Sequence, residues 1–274
     1  PGWSSTRYTN DNSRTIFLMD DALILIPIIE TFNYLKHKKE LIYTKTWLER
    51  AEKEFQEIYI NEWINIDENR GYFQDIYYTK IGINMPMNQI AVVGEFCAVL
   101  YEATGKKIYK DYAIKTANYI KSNLIIDDDS YIWYYAKPST NNPDMVYEDF
   151  SHAQLVWRFV YKMYNLNLVF NNDDINLFKG TFKNKIIDGN KIFWFLGGMI
   201  DENTPASKEY LHKEKGWLHY FYSLTIYDNE IKNILKNYHN NRNFEYIPGY
   251  KFNHIGELFL LHFAFGLKYF NLIN

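Results

Sequence analysis

Apolar residues return at three- and four-residue spacing along most of the chain, the period of a helix with one buried face. The pattern predicts helices over 17–36, 43–63, 86–104, 108–124, 147–164, 173–186, 214–227, 229–238 and 253–269. Pro86 stands where a proline is tolerated, at a helix start, and Gly105 stands where a helix stops. Pro27 falls inside the first apolar run and is expected to kink it.

Helix pairs alternate with short aromatic segments: Gly71-Tyr72-Phe73 with Tyr77-Tyr78, then Tyr131-Ile132-Trp133-Tyr134-Tyr135, then Ile192-Phe193-Trp194-Phe195. They recur about every 60 residues, the length of a helical hairpin plus a long loop, which marks an array of similar units. Trp47 to Ala51 followed by Phe55 parallels Tyr109 to Ala113 followed by Ala117 and Ile120. Stacked hairpins bury their faces against neighbours in an open solenoid or a closed ring. The segments Phe17 to Ile29 and Leu258 to Phe270 are too apolar for solvent-facing caps, so a ring is expected. The fold class expected is therefore all-α: one domain over 1–274, a ring of helical hairpins with long aromatic loops at one mouth.

In such a ring the helices that follow the aromatic loops point the same way, and their first turns converge. Those starts are Met19-Asp20-Asp21, Met87-Asn88-Gln89, Tyr147-Glu148-Asp149 with His152, His212-Lys213-Glu214 with Trp217, and Asn253-His254 with Glu257. Asp, Asn and Ser are common at helix starts simply as caps. Capping does not account for Gln89, His152, His212, His254 and Glu257 at matching places. Converging helix N-termini also favour an anion without a basic protein.

The densest chemistry lies in Tyr147-Glu148-Asp149-Phe150-Ser151-His152-Ala153-Gln154, which sets a phenol, two carboxylates, a hydroxyl and an imidazole at one helix start. Glu148 or Asp149 serves there as a cap, as a catalytic group, or as both. His152 lies one turn in, beside the apolar run Leu155, Val156, Phe159 and Val160, at the edge of a buried face. It reads either as a hydrogen-bonded core histidine or as an acid–base group.

Composition narrows the classes. With 274 residues and 47% hydrophobic content the chain is long enough for a large core. A net charge of −3 gives no reason to expect nucleic acid. The lone Cys97 excludes an internal disulfide and argues against a thiolate zinc site. No apolar run has the length of a membrane span, so no membrane partner is expected. The chain begins with Pro1, so a leader or a larger N-terminal region is expected to have been removed; a signal peptide would imply secretion or the periplasm, and its lack the cytoplasm. Abundant Tyr and Trp offer flat faces for sugar rings, with Trp133, Trp194 and Trp217 as stacking platforms. Neither the His-Glu-x-x-His nor the EF-hand spacing occurs, and no glycine-rich phosphate loop is visible, so no metal or cofactor is expected. His212 with Glu214, or Glu148 and Asp149 with Asp144, are the nearest approaches to a ligand set.

Asn88-Gln89 before an apolar run, Leu100-Tyr101, the turn Thr104-Gly105-Lys106-Lys107-Ile108-Tyr109, and then Ala113 and Ala117 resemble the (α/α) toroid carbohydrate-active enzymes. Within that group the stretch is similar to the toroidal domains of glucuronyl C5-epimerases and uronate-polysaccharide lyases. The resemblance implies a poly- or oligosaccharide substrate containing uronic acid. It also implies removal of the proton beside its carboxylate, with Asn, His and Tyr in the roles of neutraliser, base and acid.

On that reading the catalytic candidates are His152, Tyr147, Glu148, Asp149 and Asn88, with Tyr134 or Tyr135 as other phenols. Gln89, Arg7, Trp133, Tyr135, Trp217, His254, Glu257 and Asp21 are candidates for substrate binding, Arg7 as a bidentate carboxylate clamp. Two alternatives stay open. A glycoside hydrolase would use Glu148 or Asp149 with an opposing carboxylate from Asp20, Asp21, Asp144 or Glu257. A non-catalytic toroid would bind a glycan without turning it over.

Overall fold

The computed structural model describes residues 3–6, 9, 14–35, 42–188, 191–192, 196 and 219–240. Among these the chain is mostly helical, with only short strands, in keeping with the all-α class. The elements follow a repeating order. Helices α1 (Leu18–Leu35) and α2 (Ile42–Glu57) lead to a hairpin of β3 (Trp63–Asn65) and β4 (Gly71–Phe73). After the short α3 (Ile76–Lys80), α4 (Met87–Thr104) and α5 (Lys107–Lys121) lead to a hairpin of β5 (Ile125–Asp127) and β6 (Ser130–Ile132). Then α6 (Phe150–Asn165), α7 (Asn172–Gly180) and a π-helical turn Thr181–Ile186 lead to β7 (Ile187–Asp188) and β8 (Lys191–Ile192). A 3₁₀ helix, His219–Ile226, and α8 (Asn229–Asn240) follow. A further antiparallel pair, β1 (Ser4–Ser5) with β2 (Thr15–Ile16), precedes α1.

Each recurring aromatic segment overlaps the second strand of one hairpin. Trp63 pairs with Phe73, Ile125 with Ile132, and Ile187 with Ile192, all antiparallel.

The chain forms two compact units, Pro1–Leu124 with Tyr134–Val146 and Phe159–Asn171, and Ile125–Trp133 with Tyr147–Arg158 and Asn172–Asn274. In the first unit α1 packs on α2 and α4, and α4 packs on α5. Every residue of α4 from Met87 to Leu100 is buried, even Asn88, Gln89 and Glu95. By contrast α5 is one-sided, burying Tyr109, Ala113, Thr116, Ala117 and Ile120 at helical spacing, with Tyr119 beside them. Helix α4 ends at Gly105, whose left-handed φ of 69° lets its N–H reach the Tyr101 carbonyl. Pro27 lies within α1, which continues past it, and is exposed. Phe55, Tyr59, Phe73, Phe96 and Tyr109 form an aromatic core, with the Phe55 ring 5.0 Å from Tyr109 and the Tyr59 ring 5.0 Å from Phe96.

In the second unit α7 and the π-helical turn pack on β6. Thr181 Oγ donates to the Tyr131 carbonyl at 2.6 Å and accepts from its N–H at 3.0 Å. The Phe178 ring sits 5.2 Å from Tyr131, 5.8 Å from Trp133 and 5.3 Å from Trp157, forming the centre of this core.

Helix starts are fixed to the chain that leaves the hairpins. Met85 N–H, just before α4, donates to Gln74 Oε1, and Met87 N–H donates to the Tyr135 carbonyl. Just before α6, Glu148 N–H donates to the Trp133 carbonyl and its own carbonyl accepts from Leu196. Both starts are thus held between the extensions of two successive hairpins.

Candidate functional site

The segment entering α6 folds as its residue types dictate. Glu148 is pinned as extended chain by backbone bonds of 2.9 Å to Trp133 and 3.0 Å to Leu196. That is why the helix begins at Phe150, three residues later than the periodicity predicts from Tyr147. Asp149 then caps it: Oδ1 accepts the His152 N–H at 3.0 Å and the Ser151 hydroxyl at 2.5 Å. Its other oxygen, Oδ2, lies 2.5 Å from His152 Nδ1. His152 therefore reaches back to the cap residue from the third helical position, the place a glutamate takes in a capping box.

Exposure grades across the three residues. The Glu148 residue is 0% exposed, whereas the Asp149 side chain is 11% and the His152 side chain 45% exposed. Burial drives the Glu148 carboxyl well above the ordinary carboxylate range; the neighbouring Asp149 charge adds to this, and the Trp133 indole N–H opposes it. Burial also pushes Asp149 upward, but the hydrogen bond and charge of His152, with Ser151 and the His152 N–H, outweigh it, and the net shift is downward. Two adjacent carboxyls are thus set apart, Glu148 toward the neutral form and Asp149 toward the charged one.

The Trp133 indole favours charge on Glu148, yet Trp133 Nε1 and both Glu148 oxygens make no hydrogen bond of good geometry. Both amide atoms of the fully buried Gln154 are likewise without a partner. Each such group costs about 1–3 kcal/mol unless solvent or a ligand supplies the missing partner.

Chemically, an imidazole held by a buried, charged carboxylate has the arrangement that general-base chemistry requires. The bond from Nδ1 to Asp149 selects the tautomer that leaves the lone pair on Nε2. The half-exposed ring is the member of the trio that meets solvent.

The remaining candidates take varied places. Asn88 and Gln89 lie in the first unit at the start of α4, both buried; Asn88 Oδ1 accepts the Gln89 N–H at 2.7 Å and Gln89 Nε2 donates to the Tyr78 hydroxyl at 2.9 Å. Asp21, also in the first unit, is buried in α1 with Oδ1 accepting the Trp3 N–H at 2.8 Å. Tyr134, Tyr135 and Tyr147 are half-buried. Trp133, expected as a platform for sugar, is 0% exposed, because its ring is taken up by the core around Phe178. Asp144 is exposed. Arg7, Trp194, His212, Glu214, Trp217, His254 and Glu257 lie outside the described residues.

One group was not read from the sequence. Glu54, on the stripe of α2 that buries Ala51 and Phe55, is fully buried; Oε1 accepts Arg50 Nε at 2.9 Å and Oε2 has no partner. An acid on an apolar helical stripe is the signal that would have found it. The Arg50 guanidinium lies 4.3 Å from the centre of the Trp3 ring, which stacks with Trp47 at 6.3 Å.

No protein-family model matches the chain, and no curated protein matches it. No helix among the described residues is long and apolar enough to cross a membrane.

Proposed function

We propose that the chain is an (α/α) toroid enzyme that acts on an acidic, uronic-acid-containing polysaccharide by removing the proton beside the carboxylate, as a lyase or a C5-epimerase. The observation that carries this reading is the Asp149–His152 pair, a half-exposed imidazole bonded at 2.5 Å to a carboxylate whose pKa is shifted down. His152 takes the proton through Nε2, and Asp149 stabilises the imidazolium that results. Tyr147, which enters the same helix, supplies the acid. The toroid is supported by the repeated order of two helices and a hairpin, and by helix starts held in the same manner before α4 and α6.

A hydrolase using Glu148 or Asp149 with an opposing carboxylate is less well served. Glu148 has no exposed surface, and Asp149 is taken up by Ser151 and His152 as the cap of α6. A glycosidase needs its two carboxyls to flank the scissile bond at roughly 5–10 Å.

Incubation with a panel of uronic-acid and neutral glycans tests the proposal. Absorbance from a new double bond marks a lyase, and solvent deuterium uptake without cleavage marks an epimerase. New reducing ends without a double bond would overturn it in favour of a hydrolase, and retained glycan affinity with no turnover in favour of a binder.

A further inference from the structure

We propose that Glu148, Asp149 and His152 also form a binding site for a divalent transition-metal ion. A carboxylate oxygen from each acid and a ring nitrogen of His152 all lie within 4.8 Å of one another. A zinc-sized ion sits about 2.0–2.2 Å from nitrogen and oxygen ligands, which places those ligands roughly 3–3.5 Å apart. The trio reaches that spacing if Glu148 closes inward and the 2.5 Å contact between Asp149 Oδ2 and His152 Nδ1 opens slightly.

Glu148 supplies the second observation. It is 0% exposed, and neither of its oxygens makes a hydrogen bond of good geometry, the Trp133 indole and the Asp149 N–H being the donors nearby. A buried carboxyl with its hydrogen bonding unfulfilled is stabilised in its charged form by a cation, and this one lies within reach of two other ligands. Asp149 can serve both roles, because Oδ1 alone caps α6 while Oδ2 points to the site. The positive end of α6 opposes a cation only weakly against two carboxylates. The half-exposed His152 ring gives an entry path.

Ligand chemistry selects the ion. Two carboxylates and an imidazole suit zinc or manganese, whereas calcium takes six to eight oxygens, more than this trio offers. An ion at Nδ1 requires the other tautomer, with the proton on Nε2, so metal binding and a base role through Nε2 exclude each other. The site goes beyond the enzymatic proposal and its test reads no turnover, so the two fail separately.

The experiment titrates the metal-stripped full chain with zinc, manganese and calcium by calorimetry, with thermal unfolding in parallel. One zinc or manganese ion per chain is expected, with a rise in Tm that calcium does not give. Affinity should fall at least tenfold in His152→Ala, whose ring is half-exposed, and in the isosteric Glu148→Gln. Equal zinc affinity in wild type and His152→Ala, no saturable binding, or equal stabilisation by calcium would overturn the site.

Discussion

Gly180 meets the backbone carbonyl of Asp129 where a side chain would otherwise sit: a Cβ on Gly180 would lie 1.9 Å from that oxygen. The end of α7 thereby lies directly on the turn between β5 and β6, and Asn184 Nδ2 donates to Asp129 Oδ1 at 2.7 Å just beyond it. Gly180→Ala should lower stability. The backbone there is right-handed helical, with φ −58°, so alanine gains up to about 1 kcal/mol of helix propensity. Overpacking against fixed backbone costs about 1–3 kcal/mol or more and should win. Denaturant unfolding should show a lower midpoint with an unchanged slope; a variant as stable as wild type would mean that the β5–β6 turn yields freely.

The Asp149–His152 bond separates a structural from a chemical role. Asp149→Ala removes the cap of α6 and should cost about 1 kcal/mol. Asp149→Asn keeps an acceptor for the His152 N–H, so stability should stay close to wild type while the imidazole loses its charged partner. His152→Ala leaves the cap in place and should lower kcat by ~10²–10⁴, the usual contribution of a general base. Turnover that survives His152→Ala would remove the histidine from the chemistry and leave only the cap.

Much of this fold is legible in the sequence because its signals are local. Pro86 and Gly105 bracket α4 as their backbone preferences require, and the apolar period of α1, α5 and α8 is plain. The 60-residue recurrence of aromatic segments is legible too, but not its meaning, since strands of two or three residues are too short to show alternation. The start of α6 could not be placed because Glu148 is held by Trp133 and Leu196, both distant in sequence. The pairing of Asp149 with His152 follows from cap spacing alone. The full burial of Glu148 and Trp133 does not, because residue type cannot distinguish an aromatic facing a ligand from one facing the core.

Tyr131 links β6 to α7 through a phenol that donates to Asp174 Oδ1 at 2.8 Å, with both residues buried. Tyr131→Phe keeps the ring against Phe178 and removes only that donor. A hydrogen bond to a charged group contributes about 1.5–3 kcal/mol, so a loss of roughly 2 kcal/mol is expected. Denaturant unfolding checks this: a variant as stable as wild type would show that the phenol acts by packing and not through the carboxylate.

Asp21 makes the first unit sensitive to pH near neutrality. Its carboxyl is pushed up to about 7, first by burial and then by the charges of Glu54 and Asp20, against the Trp3 N–H and Arg50. In the unfolded chain an aspartate titrates near ~3.9. Between these values the folded state holds a proton that the unfolded state has released. The stabilisation is therefore complete below about pH 4 and is lost as pH rises through 7, the reverse of a salt-bridged aspartate. Asp21→Asn fixes the neutral form and keeps an oxygen for the Trp3 N–H. It should gain about 1–2 kcal/mol at pH 8 and little at pH 5. That is less than the ~4 kcal/mol of three pKa units, because the new amide N–H groups are buried and need acceptors. Thermal unfolding of both proteins from pH 5 to 8 checks this: Tm should fall with pH in the wild type and flatten in the variant. Parallel curves would show that Asp21 does not carry the pH dependence.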